Sequence, residues 1–163
     1  MPCRGVFFAI SEATCKTLED AESDDDVMNV VESLEDDWVQ ENLCEVDKAW
    51  DAMHRAHSDG TLDYDAGEYP LNHAVLGGKQ LLEGDHHIVT LVTPKEVGDV
   101  AMALVGVDEH AFRGRYADTV PHDYAPEYGD EDRDYTWAYL DELRRFYGRA
   151  AAAGRAVIFT VDQ

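Results

Sequence analysis

Residues 86–96 read HHIVTLVTPKE, in which the pattern of a β-strand is followed directly by the pattern of a helix start. The segment from His86 to Val92 is rich in β-branched residues and favours a strand. The sequence TPKE at 93–96 follows at once and has the form of a capping box with proline at the first helical position. Apolar residues then recur at helical spacing at Val97, Val100, Ala101 and Leu104. The stretch therefore predicts a strand that passes directly into a helix.

Two more strands are predicted near the ends of the sequence. The apolar run Gly5–Ile10 is closed by Ser11, which can cap a following helix, and Ala156–Val161 follows a long amphipathic helix that Gly154 ends. Three strands scattered between runs of helices predict an α+β protein, with a small mixed or antiparallel sheet covered by several helices. The length of 163 residues fits a single domain over 1–163.

The intervening residues predict further helices and two loops. Periodicity and capping residues indicate helices over 12–21, 24–38, 47–57 and 70–76, with Gly77-Gly78 as a C-cap, and a short helix after Asp108. Residues 60–69 and the acidic segment 118–134 are typical of loops.

The charge of the chain excludes several classes of function. There are 35 acidic and 13 basic residues, so the formal net charge is −22. Such a surface repels nucleic-acid phosphates and anionic lipid headgroups, and we expect neither nucleic-acid nor membrane binding. Residues 19–47 hold thirteen acids and no Lys or Arg, and apolar residues at helical spacing indicate that these acids form the solvated face of a helix.

No motif indicates a cofactor or a covalent nucleophile. The glycine patterns of phosphate and dinucleotide sites and the G-x-S-x-G elbow do not occur. Cys3, Cys15 and Cys44 form no C-x-x-C pair. Without these motifs we expect no cofactor. The apolar stretch in the first ten residues is too short for a secretory signal, so we expect a cytoplasmic protein.

The densest group of polar residues lies in the predicted helix 47–57. Asp47, Asp51 and His54 are spaced +4 and +3, which places them on one helix face where they could orient a general base or bind a metal. In the alternative interpretation Asp47 caps the helix, Asp51 pairs with Arg55, and His54 is a core histidine bonded to the backbone.

Other residues are candidates for the same site or for a binding surface. His73 is a further catalytic candidate, and Trp50, Tyr69 and Tyr147 are candidates for the rim of a pocket or partner surface. His86 and His87 are adjacent on a predicted strand, so their imidazoles should point to opposite faces. Only tertiary contacts would bring His54, His73 and His87 together.

Four sequence blocks carry a family resemblance. They are DKxWDxxH at 47–54, PLxxAVLG at 70–77, Pro94-x-x-Val97 and FYxxAAxxG at 146–154. Together they resemble the YfbM-like family of bacterial domains of unknown function, over essentially the whole chain. The resemblance implies a small cytoplasmic α+β domain and brings no reaction, substrate or cofactor. Most of the matching residues are apolar, so packing accounts for them.

Three functional hypotheses remain at this point. We favour a non-catalytic binding protein, similar to an immunity or inhibitor protein, whose acidic surface docks a basic protein partner. The alternative is a small-molecule or metal-dependent enzyme with a site around Asp51 and His54. A third hypothesis is that the acidity serves only solubility or a saline environment.

Overall fold

The core of the fold is a five-stranded sheet in which all neighbouring strands are antiparallel. A computed structural model of the chain describes residues 3–83, 86–119 and 129–162. The strands are β1 (Gly5–Ile10), β2 (Leu43–Asp47), β3 (Lys79–Gln80), β4 (His87–Val92) and β5 (Ala156–Asp162). Their order across the sheet is β2-β1-β5-β4-β3, so the last strand of the sequence is the central one. The predicted α+β class is confirmed, and the sheet is antiparallel.

Helices cover the sheet. They are α1 (Glu12–Glu19), α2 (Asp24–Asp37), α3 (Trp50–Ala56), α4 (Pro94–Val105), α5 (Glu109–Thr119) and α6 (Gly129–Ala152). Two short 3-10 helices span Gln40–Asn42 and Leu71–Ala74. Among the residues described, no helix is both long enough and apolar enough to cross a bilayer.

Both faces of the sheet are buried. Because side chains alternate along a strand, Phe7, Val157 and Phe159 pack on the side of α3, α4, α5 and α6. Phe8 and Ile158 pack on the side of α1 and α2. Burial on both faces requires apolar residues at successive strand positions, which explains why β1, β4 and β5 are mostly apolar in sequence and do not alternate between polar and apolar residues.

The predicted starts of three helices are confirmed by their caps. The Ser11 hydroxyl accepts from the Thr14 N–H at 3.1 Å, and the Ser23 hydroxyl accepts from the Asp26 N–H at 3.2 Å. At α4 the capping box is complete, since the Thr93 N–H donates to Glu96 Oε1 at 2.9 Å and the Thr93 hydroxyl accepts from the Glu96 N–H.

The prediction that Asp47 begins a helix is wrong. Asp47 is the last residue of β2, and α3 begins at Trp50. The segment LCEVD pairs with β1, which leaves Glu45 exposed while Val46 is buried. Asp47 has a φ of 48°, in the left-handed region, and the turn that follows redirects the chain into α3.

Other boundaries also differ from the sequence prediction. The long final helix starts at Gly129, so residues 129–134 of the predicted loop are helical, whereas residues 120–128 lie outside the described residues. Tertiary contacts hold this extension, because the Tyr116 hydroxyl donates to Asp132 at 2.6 Å. The predicted helix 70–76 is only the 3-10 helix Leu71–Ala74, and β3 was not predicted.

Two glycines offer a matched test of this packing. A Cβ placed on Gly77 would lie 2.2 Å from the Asn72 carbonyl oxygen, whereas a Cβ on Gly98 in α4 would meet nothing within 4 Å. We expect Gly77→Ala to lower the free energy of unfolding by about 1–3 kcal/mol through this clash. Gly98→Ala should raise it by up to about 1 kcal/mol, because alanine favours the helix. Urea unfolding of both variants measures the difference, and equal effects would contradict the backbone approach at Gly77.

Candidate functional site

Trp50 and Asp51, the first residues of α3, are held by structural contacts. Trp50 is buried, its Nε1–H donates to the Cys3 carbonyl at 2.9 Å, and its ring lies 5.8 Å from that of Phe159. Asp51 accepts from Arg55 Nε at 2.6 Å. This is the Asp51–Arg55 pair expected if the helix has no catalytic role. Trp50 is therefore part of the core and does not form the rim of a pocket.

Asp47 does not share a helix face with Asp51 and His54. Its Oδ1 lies 3.4 Å from Arg4 Nε, and its Oδ2 accepts from the Tyr135 hydroxyl at 2.9 Å. Within the described part of the chain, no three His, Cys, Asp or Glu side chains are grouped so as to hold a metal ion. The metal site predicted for Asp47, Asp51 and His54 from their +4 and +3 spacing is therefore not formed by these three residues.

His54 is completely buried. Its Nε2 lies 2.7 Å from the Asp63 carbonyl oxygen, to which it must donate, and its Nδ1 has no hydrogen-bond partner in the described part of the chain. Burial lowers the pKa of His54, because the charged imidazolium is poorly solvated there. This is the core position that the alternative interpretation describes.

Tyr69 and His73 form a small surface cluster at the start of α4. The Tyr69 hydroxyl donates to Asp99, which raises the pKa of Tyr69 to about 12. The rings of Tyr69 and His73 are in T-shaped contact, with their centroids 4.8 Å apart. His73 Nε2 lies 3.3 Å from Glu96 Oε2. Tyr69 is 47 % exposed and remains available at a surface.

The remaining candidates do not join His54. Tyr147 is fully buried, its hydroxyl donates to the Ala74 carbonyl at 2.9 Å, and burial raises its pKa. His87 lies on the α1–α2 side of the sheet, where its Nε2 is 3.6 Å from Asp162. The structure therefore does not bring His54, His73 and His87 to one site.

His57 is the functional candidate that the sequence analysis did not select. It caps the C-terminus of α3 and is 2 % exposed, and neither ring nitrogen has a hydrogen-bond partner within residues 3–83, 86–119 and 129–162. Burial, followed by the nearby charges of Arg115 and His54, lowers its pKa to about 3. His57 lines a cleft of about 430 Å³ that is also bordered by Tyr69 and Arg115.

The burial of His57 depends on contacts that are distant in sequence. The chain returns to the end of α3 at Gly67, which has a φ of 83° and sits so close that a Cβ there would lie 2.6 Å from Ser58 Cα. Helix α5 supplies Arg115. The sequence signal for His57 is its +4 spacing from Met53, which places it on the same side of α3 as that buried residue.

A larger groove of about 640 Å³ runs between β2 and α6. It contains as many acidic as basic side chains: Arg4, Arg145 and Arg149 against Glu45, Asp47 and Glu142. Two of its arginines are already engaged, Arg4 with Asp47 and Arg145 with Asp141 at 2.6 Å. The groove thus presents no excess of either charge.

The free energy of unfolding should depend on pH through His57. Its pKa is about 3 in the folded protein against about 6.5 in the unfolded chain, so between these values only the unfolded chain takes up the proton. Stability should therefore fall as the pH decreases through this interval, by up to about 1.4 kcal/mol per pH unit from this group. His57→Leu should remove that part of the slope.

Urea unfolding of wild type and His57→Leu between neutral pH and about pH 5 measures this slope. His110→Leu, which removes an imidazole exposed on α5, is the matched control. A slope in His57→Leu equal to that of wild type would show that His57 is not kept neutral by the fold.

Comparisons with known proteins give a consistent result. The crystal structure of YfbM from Escherichia coli, a protein of unknown function, matches with a TM-score of 0.70 and 21 % identity, and the match covers 99 % of each chain. At this identity the match shows a shared fold. No curated protein matches in sequence. The model of the family described as "Domain of unknown function (DUF1877)" matches residues 1–160, which together with the YfbM match confirms the YfbM-like resemblance. The chain belongs to this DUF1877 family.

Proposed function

We propose that the protein is a non-catalytic binding protein that docks a basic protein partner, in the manner of an immunity or inhibitor protein. The docking surface is the acidic face, which we define as the exposed acids of α1, α2 and the segment up to β2. Its members on α2 and the following 3-10 helix are Asp24, Asp25, Asp26, Glu32, Glu35, Asp36, Asp37 and Glu41.

The observation that carries this proposal is the lack of compensating charge. Of the thirteen acids in residues 19–47, only Asp47 forms an ion pair with another residue that the structure describes. Elsewhere acids are commonly paired, as Asp141 is with Arg144 and Arg145. A surface whose negative charge is not used within the fold attracts a cationic partner and speeds its association.

The carboxylates of the acidic face also repel one another. The pKa of Glu35 is raised, first by partial burial and then by Glu32, Asp162 and Asp36, against an opposing effect of His87. Cations of a docked partner would relieve this repulsion. Attraction between these carboxylates and the partner's cations therefore favours binding.

An apolar anchor lies at the end of the same helix. Trp38 caps α2 in the left-handed conformation, with a φ of 41°. It is 37 % exposed, and its ring and that of Phe8 are in T-shaped contact with centroids 6.1 Å apart. Val39 beside it is 47 % exposed. Tryptophan is enriched among the residues that contribute most to binding energy at protein interfaces. Such interfaces commonly have an apolar centre and a polar rim.

One further observation supports a binding role rather than catalysis, and another supports a cytoplasmic location. The residues proposed for an enzyme site, Asp51 and His54, are engaged by Arg55 and by the Asp63 carbonyl. Cys3, Cys15 and Cys44 are free thiols, which suits a reducing compartment.

A triple neutralisation tests the acidic face. Glu32→Gln/Asp36→Asn/Glu41→Gln removes three exposed acids from it, and Asp65→Asn/Glu131→Gln/Glu142→Gln removes three from elsewhere as the matched control. A partner captured from cell extract at low salt and then purified should bind the first variant at least about tenfold more weakly, with a flatter salt dependence, because attractive charges are lost. The control should bind within about twofold of wild type.

Trp38→Ala tests the apolar anchor separately. It should weaken binding at every salt concentration, since the lost contact is apolar, and leave the salt slope unchanged. Calorimetric titration over a salt series distinguishes the two effects. Equal binding by wild type and the Glu32/Asp36/Glu41 variant would rule out the acidic face as the docking surface.

A further inference from the structure

A second candidate site lies on the other side of the sheet from the acidic face. It is the cleft at the end of α3, here called the His57 cleft, which has a volume of about 430 Å³. Its polar lining includes His57, Ser58, Asp59, Glu68, Tyr69 and Arg115. A volume of this size is typical of small-molecule sites.

His57 is the observation that points to a ligand. Buried polar groups almost always have a hydrogen-bond partner, and leaving one without a partner costs about 1–3 kcal/mol. Among the residues that the structure describes, neither ring nitrogen of His57 has one. A neutral imidazole carries one N–H donor and one acceptor on opposite sides of the ring, so a ligand in the cleft can satisfy one of the two nitrogens.

The cleft carries charges of both signs. Arg115 is exposed on α5 and forms no ion pair with any other residue that the structure describes. Glu68 is exposed across the cleft, and Asp59 uses its Oδ1 to accept from the N–H and the hydroxyl of Thr61 at 3.0 and 2.6 Å. Pro70, Leu71 and Ala103 add an apolar wall.

We propose that the His57 cleft binds a small zwitterion of the amino-acid class. Its carboxylate lies at Arg115, its ammonium group at Glu68 and Asp59, and its apolar side chain against Pro70 and Leu71. One ring nitrogen of His57 donates to the carboxylate.

Charge favours a zwitterion over simpler ligands. A plain anion is repelled by a protein of net charge −22, and a plain cation leaves Arg115 unpaired. A zwitterion is neutral overall and pairs with both signs in the cleft. Charge-assisted hydrogen bonds of this kind are about twice as strong as neutral ones.

L-Phenylalanine is the probe, with 3-phenylpropionate and phenethylamine as analogues that each lack one of its charges. On the wild-type protein, phenylalanine should bind saturably in calorimetric titration and shift the imidazole NMR signals of His57. Each analogue should bind at least about tenfold more weakly, because one charged group of the cleft is left unpaired.

Variants locate the binding. Arg115→Gln should weaken phenylalanine binding at least about tenfold, whereas Arg113→Gln, which removes a cation on the same helix that is paired with Glu109 and Asp134, should not. His57→Leu should remain folded and lose the rise in Tm that phenylalanine gives the wild type. Glu32→Gln/Asp36→Asn/Glu41→Gln should bind phenylalanine as wild type does, so this proposal and the acidic docking face are tested independently.

Three results would overturn the proposal. They are no saturable binding of phenylalanine, equal binding of the singly charged analogues, and binding that Arg115→Gln leaves unchanged. If the His57 signals also stay fixed in the presence of phenylalanine, an ordered water is the partner of the imidazole.

Discussion

Burial of the sheet on both faces is the constraint on which the rest of the structure depends. Five of the six residues of β1 and six of the seven residues of β5 are buried, so each strand needs helices on two sides. This requirement divides the helices into the pair α1–α2 and the larger group α3 to α6. It also separates the two candidate sites, because the acidic face belongs to the pair and the His57 cleft to the group. A ligand at one site therefore has no direct contact with a partner at the other.

Elements with strong local signals were predicted from the sequence, and those set by tertiary contacts were not. The apolar runs of β1, β4 and β5 and the capping box at Thr93–Glu96 need no distant partner to be recognised. By contrast, β2 is a short strand interrupted by Glu45, and only its pairing with β1 defines it. The pattern that placed Asp47 on a helix failed for the same reason, since periodicity cannot detect a strand end.

The candidate sites follow the same division. The acidic face could be predicted, because its acids and the apolar stripe of α2 lie within one continuous segment. The His57 cleft could not, because its walls come from α3, the segment near Gly67, α4 and α5. A histidine at a helix end is commonly solvated, and only the folded structure shows that His57 is enclosed with no hydrogen-bond partner among the described residues.

The central position of β5 has a consequence for biosynthesis. Strands β1 and β4 both pair with β5, so the sheet cannot close until residues 156–162 have been translated. Until then the nascent chain presents apolar strands with unpaired edges, which are prone to associate with other chains. The many acids of residues 19–47 are translated before β5, and their like charge opposes the close approach of two nascent chains while the sheet remains open.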